Sequence, residues 1–364
     1  MDKREVEQLD KKMTTLSNSD NKNIYPFDDA GKLSYRYSED QPQRTIASIS
    51  VKDFGAIGDG KADDSPAFQA AIDVIKEKGG GTLIIPQGEY WISQAVFLCD
   101  NITIIGTGWP TLRKKDGDHG YTVFAIYGVT IGNDKQADPE VKAPISEIPP
   151  QGCQDIIIDG NIFEGFNGNT KNESLISILG VQDTPDVTKN VRITGNIFHD
   201  TGGSDAIQIK YASDISVTGN SVMERNFRFV GVSGTQRLNI EGNCADKSEQ
   251  QPVWITDTSH ITYSKNKLRS FTKPPRFLNC RNVNITGNHF LDSEVASGIA
   301  FVIESCSEFN AYGNFANTTQ PMSDAAIVFK NIPKRGLVHH NIFTGYLHAA
   351  IGESTNVLVS DNVV

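Results

Sequence analysis

The sequence predicts an all-β chain wound as a parallel β-helix, a single-stranded solenoid with one capping α-helix at its N-terminal end. Three observations carry this: a recurring asparagine, period-two apolar strands in front of it, and an amphipathic segment upstream. The asparagine ends a short apolar strand at Asn161 (DIIIDGN), Asn196 (VRITGN), Asn220 (ISVTGN), Asn243 (LNIEGN), Asn266 (ITYSKN), Asn288 (VNITGN), Asn314 (FNAYGN), Asn341 (LVHHN) and Asn362 (LVSDN). The gaps are 35, 24, 23, 23, 22, 26, 27 and 21 residues. A repeat of that length built on one strand phrase means stacked coils, each contacting only its neighbours. Asn suits the turn because it tolerates left-handed backbone angles and its amide can bond the backbone; identical amides in successive coils can also bond each other. A Gly just before it removes the steric cost of the bend.

Taken in order, residues 1–45 are polar, with helical spacing only at Val6, Leu9, Met13 and Leu16. They are expected to form a mobile or partner-dependent arm, leaving residues 46–364 as the solenoid domain. Order begins at ISVKDFGA, expected as an alternating strand with Ile49, Val51 and Phe54 apolar. After the turn GAIGDG, Ser65 is placed to cap a helix, Pro66 opens it and Gly79 to Gly81 stop it. Phe68, Ala71, Ile72 and Ile75 share one face, which can close the open end of a β-stack. TLIIPQGEYWIS and NITIIGTG give the first coils, and residues 132–151, with four prolines, are expected as a loop ejected from the stack. The chain ends at NVLVSDNVV in mid-pattern, so a further segment or another subunit is expected to cover that edge.

Composition narrows the function. A formal charge of −10 and the lack of Lys or Arg clusters argue against nucleic acid as partner. The polar start has no apolar core segment, and no stretch approaches the ~18 apolar residues of a spanning helix, so no membrane partner is expected. The five cysteines show no CxxC spacing and are expected as buried thiols. Cys280 and Cys306 each fall eight residues before their Asn, so they should stack in adjacent coils.

Side-chain direction follows from the register. Eleven residues before Asn220, Asn243, Asn266, Asn288 and Asn314 stand Ile209, Val232, Ile255, Phe277 and Ile303, an apolar row that must point inward. Strand side chains alternate, so Lys210, Ser233, Thr256, Leu278 and Glu304 form one outward row, and Gln208, Gly231, Trp254, Arg276 and Val302 the other. An outward Trp254 offers an indole on which the C–H face of a sugar stacks; the structural alternative is a covering loop or subunit. Arg276 and Lys210 could hold the carboxylates of an acidic glycan. Glycan hydrolysis needs two carboxyls, and the candidates near this sheet are Asp205, Asp257 and Glu304, with Asp200 and Glu224 on the preceding turns. A lyase would need a base and a cation to stabilise an enolate, for which Lys210, Arg228 and Arg276 are available. His199, His289, His339 and His340 lie beside the Asn turns and are expected to be structural or exposed.

The phrase VKDFGAIGDGKADDSPAFQAAIDVIKEKGGGTLIIPQGEY resembles the opening of the pectate-lyase-like superfamily of right-handed parallel β-helix proteins. It looks most like the branch of phage tail-spike polysaccharide depolymerases, bacterial epimerases and several glycoside hydrolases, and the resemblance covers about residues 48–364. HDTGGSDAIQIK resembles the Asp-Asp strand of polygalacturonase-type hydrolases at Asp205 to Ile209, but has Ser204 where that family has its first Asp. The epimerase phrase Asp-Pro-His-Glu is absent, and so is the Asp cluster with which pectate lyases hold calcium, so no metal and no other cofactor is expected. The resemblance implies a depolymerase of a bacterial surface or extracellular polysaccharide, at a virion tail or outside the cell, assembled as a homotrimer. Hydrolysis is favoured over β-elimination because carboxylates outnumber suitable cations, with a non-catalytic glycan-binding, adhesin or tail module as the rival.

Overall fold

The structure, a computed structural model, describes residues 47–114, 122–127, 152–165, 174–201, 205–223, 228–295, 297–320 and 323–364. The expected arm over 1–45, the expected excursion over 132–151 and Glu224 lie outside the described residues.

Among the described residues, strands assemble into three parallel sheets of 12, 11 and 10 strands. A coil passes through them in turn, as in Ser213–Thr218, then Ser221–Met223, then Arg228–Ser233. The Asn turn joins the first sheet to the second, and a connection of varying length joins the second to the third. No strand pairs with its sequence neighbour; each pairs with its equivalent one coil away, which is the topology the repeat predicted. The interior is filled by matching inward positions. Ile193, Val217, Ile240, Tyr263, Ile285, Ala311 and Val338 occupy one first-sheet column, all fully buried. Each large apolar side chain so removed from water contributes about 1.5–3 kcal/mol.

The Asn column is a continuous ladder. From Asn161 to Asn341, each backbone N–H donates to Oδ1 of the next Asn at 2.8–3.0 Å, and each Nδ2 donates to the same oxygen at 2.8–3.3 Å. At the turn between the third sheet and the first, Thr235 N–H donates to Thr258 Oγ1 and Cys280 N–H to Cys306 Sγ, both at 3.4 Å. Cys280 and Cys306 are buried free thiols in adjacent coils, as their spacing required.

Two details at the N-terminal end differ from expectation. The first strand stops at Ser50, and Val51–Phe54 turns as a 3-10 helix instead of continuing extended. A capping box causes this: Ser50 Oγ accepts from Lys52 N–H and the Asp53 carboxylate accepts from Ser50 N–H. Helix α1, Ser65–Glu77, begins at Ser65 itself, with Asp64 in the capping place and no side-chain cap bond. Ser65 Oγ is occupied elsewhere, donating to Asp63 and accepting from Ser93 N–H, while the Asp64 carboxylate accepts from Ile57 and Gly58 and holds the preceding turn. Phe68, Ala71, Ile72 and Ile75 are buried against the first coils, as the amphipathic pattern predicted.

Candidate functional site on the third sheet

On the third sheet, Ile209, Val232, Ile255, Phe277 and Ile303 pair in register and are buried. The outward columns therefore fall where the register placed them, Gln208–Gly231–Trp254–Arg276–Val302 and Lys210–Ser233–Thr256–Leu278–Glu304. Trp254 is half-buried, and the guanidinium carbon of Arg228 lies 5.1 Å from its ring centroid. Such a cation–π contact contributes about 0.5–1 kcal/mol and fixes the indole in place. Arg276 follows Trp254 in the column and forms an ion pair with Glu304 on the next coil.

Asp205 opens its strand and is only 7% exposed. Both its carboxylate oxygens accept from Arg228 Nη1, at 3.0 and 3.3 Å. Gly231 makes the space: a Cβ there would stand 2.1 Å from Asp205 Oδ2, so the carboxylate occupies the slot a side chain would otherwise fill. Burial pushes the carboxyl up to about 6, outweighing the opposing pull of Arg228 and Lys210. Asp205, Arg228 and Trp254 thus form a contiguous run over three successive coils: a protonatable carboxyl, a cation and an aromatic face.

The other candidates are spread out. Asp205 and Glu304 stand on strands four steps apart in the sheet, or ~19 Å at ~4.8 Å per step, and cannot form one catalytic pair. Asp257 is exposed with φ 51°, a left-handed turn residue bonded by Asn279 Nδ2, in the column of Tyr211 and Gly234. That column lies six residues along the strand from Asp205, about 20 Å, so the structure does not bring these two acids together. Lys210 is half-buried at the same far end of its strand. Asp200 is half-buried, on the turn that follows Ile197–His199 in Asp205's own coil. Glu224, which follows Ser221–Met223 in sequence, lies outside the described residues.

Two features escaped the sequence reading. The Asp205–Arg228 pair was legible, since each stands fifteen residues before its ladder Asn (Asn220 and Asn243), but the acid and the cation were assigned to rival mechanisms. The role of Gly231 had a weaker signal: a missing side chain in an outward column otherwise filled by Gln208, Trp254 and Arg276.

Fold and site together define a parallel β-solenoid whose third sheet presents carboxyl, cationic and aromatic groups outward. The chain belongs to the rhamnogalacturonase A/epimerase, pectate lyase-like family, whose model matches residues 48–272. Over 208 residues, half of this chain, it is 31% identical to mannuronan C5-epimerase AlgE3 of Azotobacter vinelandii, and over 181 residues, 42% of this chain, 32% identical to alginate lyase 7 of the same organism. The chain spans 10% of that epimerase's length and 20% of the lyase's. Among solved structures, the Streptococcus pneumoniae surface adhesin PfbA matches with TM-score 0.54 and 16% identity over 87% of this chain and 97% of its own. The tailspike protein of E. coli bacteriophage HK620, in complex with a pentasaccharide, matches with TM-score 0.52 and 15% identity over 87% and 65%. At those identities the likeness is one of fold. No helix among the described residues is long and apolar enough to cross a membrane.

Proposed function

We propose that the chain binds and cleaves a bacterial surface or extracellular polysaccharide on the outward face of the third sheet, with Asp205 as general acid. One observation carries the reading: a buried carboxyl raised to about 6 lies one coil step from the cation that stacks on Trp254. Hydrolysis needs a carboxyl that still holds its proton near neutral pH, to pass to the departing glycosidic oxygen, and a second that is ionised. Asp200, on the connection that leads to Asp205, is the acid for that second role, with Glu224 as the sequence's other candidate. Trp254 would stack a sugar ring, with Gln208, Arg276 and Lys210 contacting its polar groups. Relatives named as alginate lyase and mannuronan epimerase support a polysaccharide substrate. Localisation at a virion tail or outside the cell, a homotrimeric state, and division into an arm over 1–45 and a solenoid domain over 46–364 complete the proposal.

A second reading, a non-catalytic glycan-binding module, is favoured by one specific feature. Asp205 and Glu304 are each held by an arginine, which orders a recognition surface but restrains an acid from moving to a substrate. A screen of bacterial exopolysaccharides, with mass analysis of products, separates the readings. New reducing ends without ultraviolet-absorbing unsaturated products support hydrolysis, and unsaturated products mean β-elimination with the cations in the leading role. Binding without any product means a recognition module.

A further inference from the structure

We propose that His339 and His340 form a two-imidazole site for a divalent transition metal ion, on the first sheet and its Asn turn and away from the third-sheet face. The first observation is a break in the repeat. The residue just before each ladder Asn is left-handed throughout, and it is glycine at Gly160, Gly195, Gly219, Gly242, Gly287 and Gly313. His340 takes that place with φ 54°, at a cost of about 1 kcal/mol that glycine would avoid. Lys265 and Asp361 also fill this place with positive φ, 54° and 52°, so what sets His340 apart is not the strain but the second imidazole that it meets.

The second observation is what that conformation achieves. It brings Nδ1 of His340 within 3.0 Å of Nδ1 of His339, whose strand, Gly336–His339, ends at the turn. Nε2 of His339 lies 2.9 Å from Asn310 Oδ1, an acceptor, so the proton of a neutral His339 ring sits on Nε2 and its Nδ1 carries a lone pair. Tyr312, the register neighbour of His339, packs against both rings, with centroids 5.0 and 5.6 Å away. In this arrangement one proton, carried by His340, lies between the two Nδ1 atoms. A metal ion can replace that proton when His340 takes the other tautomer.

The geometry selects the class of ion. Imidazole nitrogens bind such metals at ~2.0–2.1 Å, so two of them 3.0 Å apart subtend about 94° at the ion. That is the cis angle of a square-planar or octahedral centre, which favours Cu(II) or Ni(II) over tetrahedral Zn(II), while calcium and magnesium prefer oxygen. Asn310 acts as the outer partner that fixes ring orientation and tautomer. Among the described residues no three His, Cys, Asp or Glu converge on one point, so solvent fills the remaining positions. His340 is exposed and leaves them open; Asp361, also exposed, stands one coil further along the same column.

The test uses the full chain, freed of metal by chelator and titrated with Ni(II) and Cu(II), with calcium and magnesium as controls. One equivalent is expected to bind saturably, and the Cu(II) electron paramagnetic resonance spectrum should show coupling to two nitrogens. His340→Gly restores the repeat residue, so it should fold with an unchanged or higher Tm while losing the site. His339→Gln supplies a second loss-of-site variant that keeps a polar side chain on the strand. Asn310→Ala should weaken binding ~10-fold. Undiminished Ni(II) binding by both histidine variants, or no binding by the parent chain, would overturn the proposal.

Discussion

Replacing Asp205 by Asn preserves the shape of the side chain and removes its ionisation. In the folded chain burial raises this carboxyl from 3.8 to about 6, so between those values the unfolded chain has released a proton that the folded chain retains. At about 1.36 kcal/mol per pH unit, the difference amounts to ~3 kcal/mol. The sign is opposite to that of an acid lowered by a surface ion pair. The stabilising contribution is complete below about pH 4, declines as pH rises through about 6 and is gone above it. In Asp205→Asn that decline should vanish, because the Asn side chain does not ionise. Urea midpoints of both proteins from about pH 4 to about pH 7 test this, because carboxylates unrelated to the site contribute equally to each and cancel in the difference. Identical pH dependence in the two proteins would refute the reasoning. If Asp205 is the general acid, turnover of the parent chain should also fall above pH ~6, and the variant should retain binding but not turnover.

Trp254→Ala is expected to weaken glycan binding by about 1–3 kcal/mol, measured by affinity electrophoresis or calorimetry, with little change in Tm, because it removes stacking and not core. Asn243→Ala breaks the ladder in mid-column: Asn220 N–H loses its acceptor and Val217 C=O loses the Asn243 Nδ2 donor, while Asn220 Nδ2 keeps its bonds to the Ile193 and Thr218 carbonyls; chemical denaturation should show a loss of ~1–3 kcal/mol. Tyr263→Phe should stabilise by ~1 kcal/mol in the same assay, because the Tyr263 hydroxyl is fully buried with no hydrogen-bond partner among the described residues. A loss of stability in Tyr263→Phe would mean that a water or an undescribed segment satisfies that hydroxyl.

The register was legible because one residue type, Asn, does one job in every coil, and counting eleven or twelve residues back from it separates the inward row from the outward ones. Ile209 and Trp254 were placed by counting alone. The start of α1 was not, because Ser65 and Asp64 both suit a cap and long-range bonds to Ser93 and Ile57 decide between them. Asp257 shows a second limit. Its residue type suits catalysis and left-handed turns equally, and only its backbone angle, φ 51°, assigns it to the turn column. The pairing of Asp205 with Arg228 needed a link between two residues 23 apart that the separate search for acids and for cations did not make.

The Asn ladder also has a direction. Every rung gives its backbone N–H and one Nδ2–H to Oδ1 of the following coil and receives at its own Oδ1 from the preceding one, while the other Nδ2–H goes back to a carbonyl of the preceding coil; the Oδ1 acceptors therefore all face one way along the axis. At Asn161 the buried Oδ1 finds no donor among the described residues, which marks the electronegative pole of the column. The column is thus a polarised wire set along one edge of the solenoid, analogous to a helix macrodipole but carried by side chains. Cations are favoured near the coil of Asn161, anions near the coil of Asn362, and the exposed carboxylate of Asp361 stands at the second of these poles.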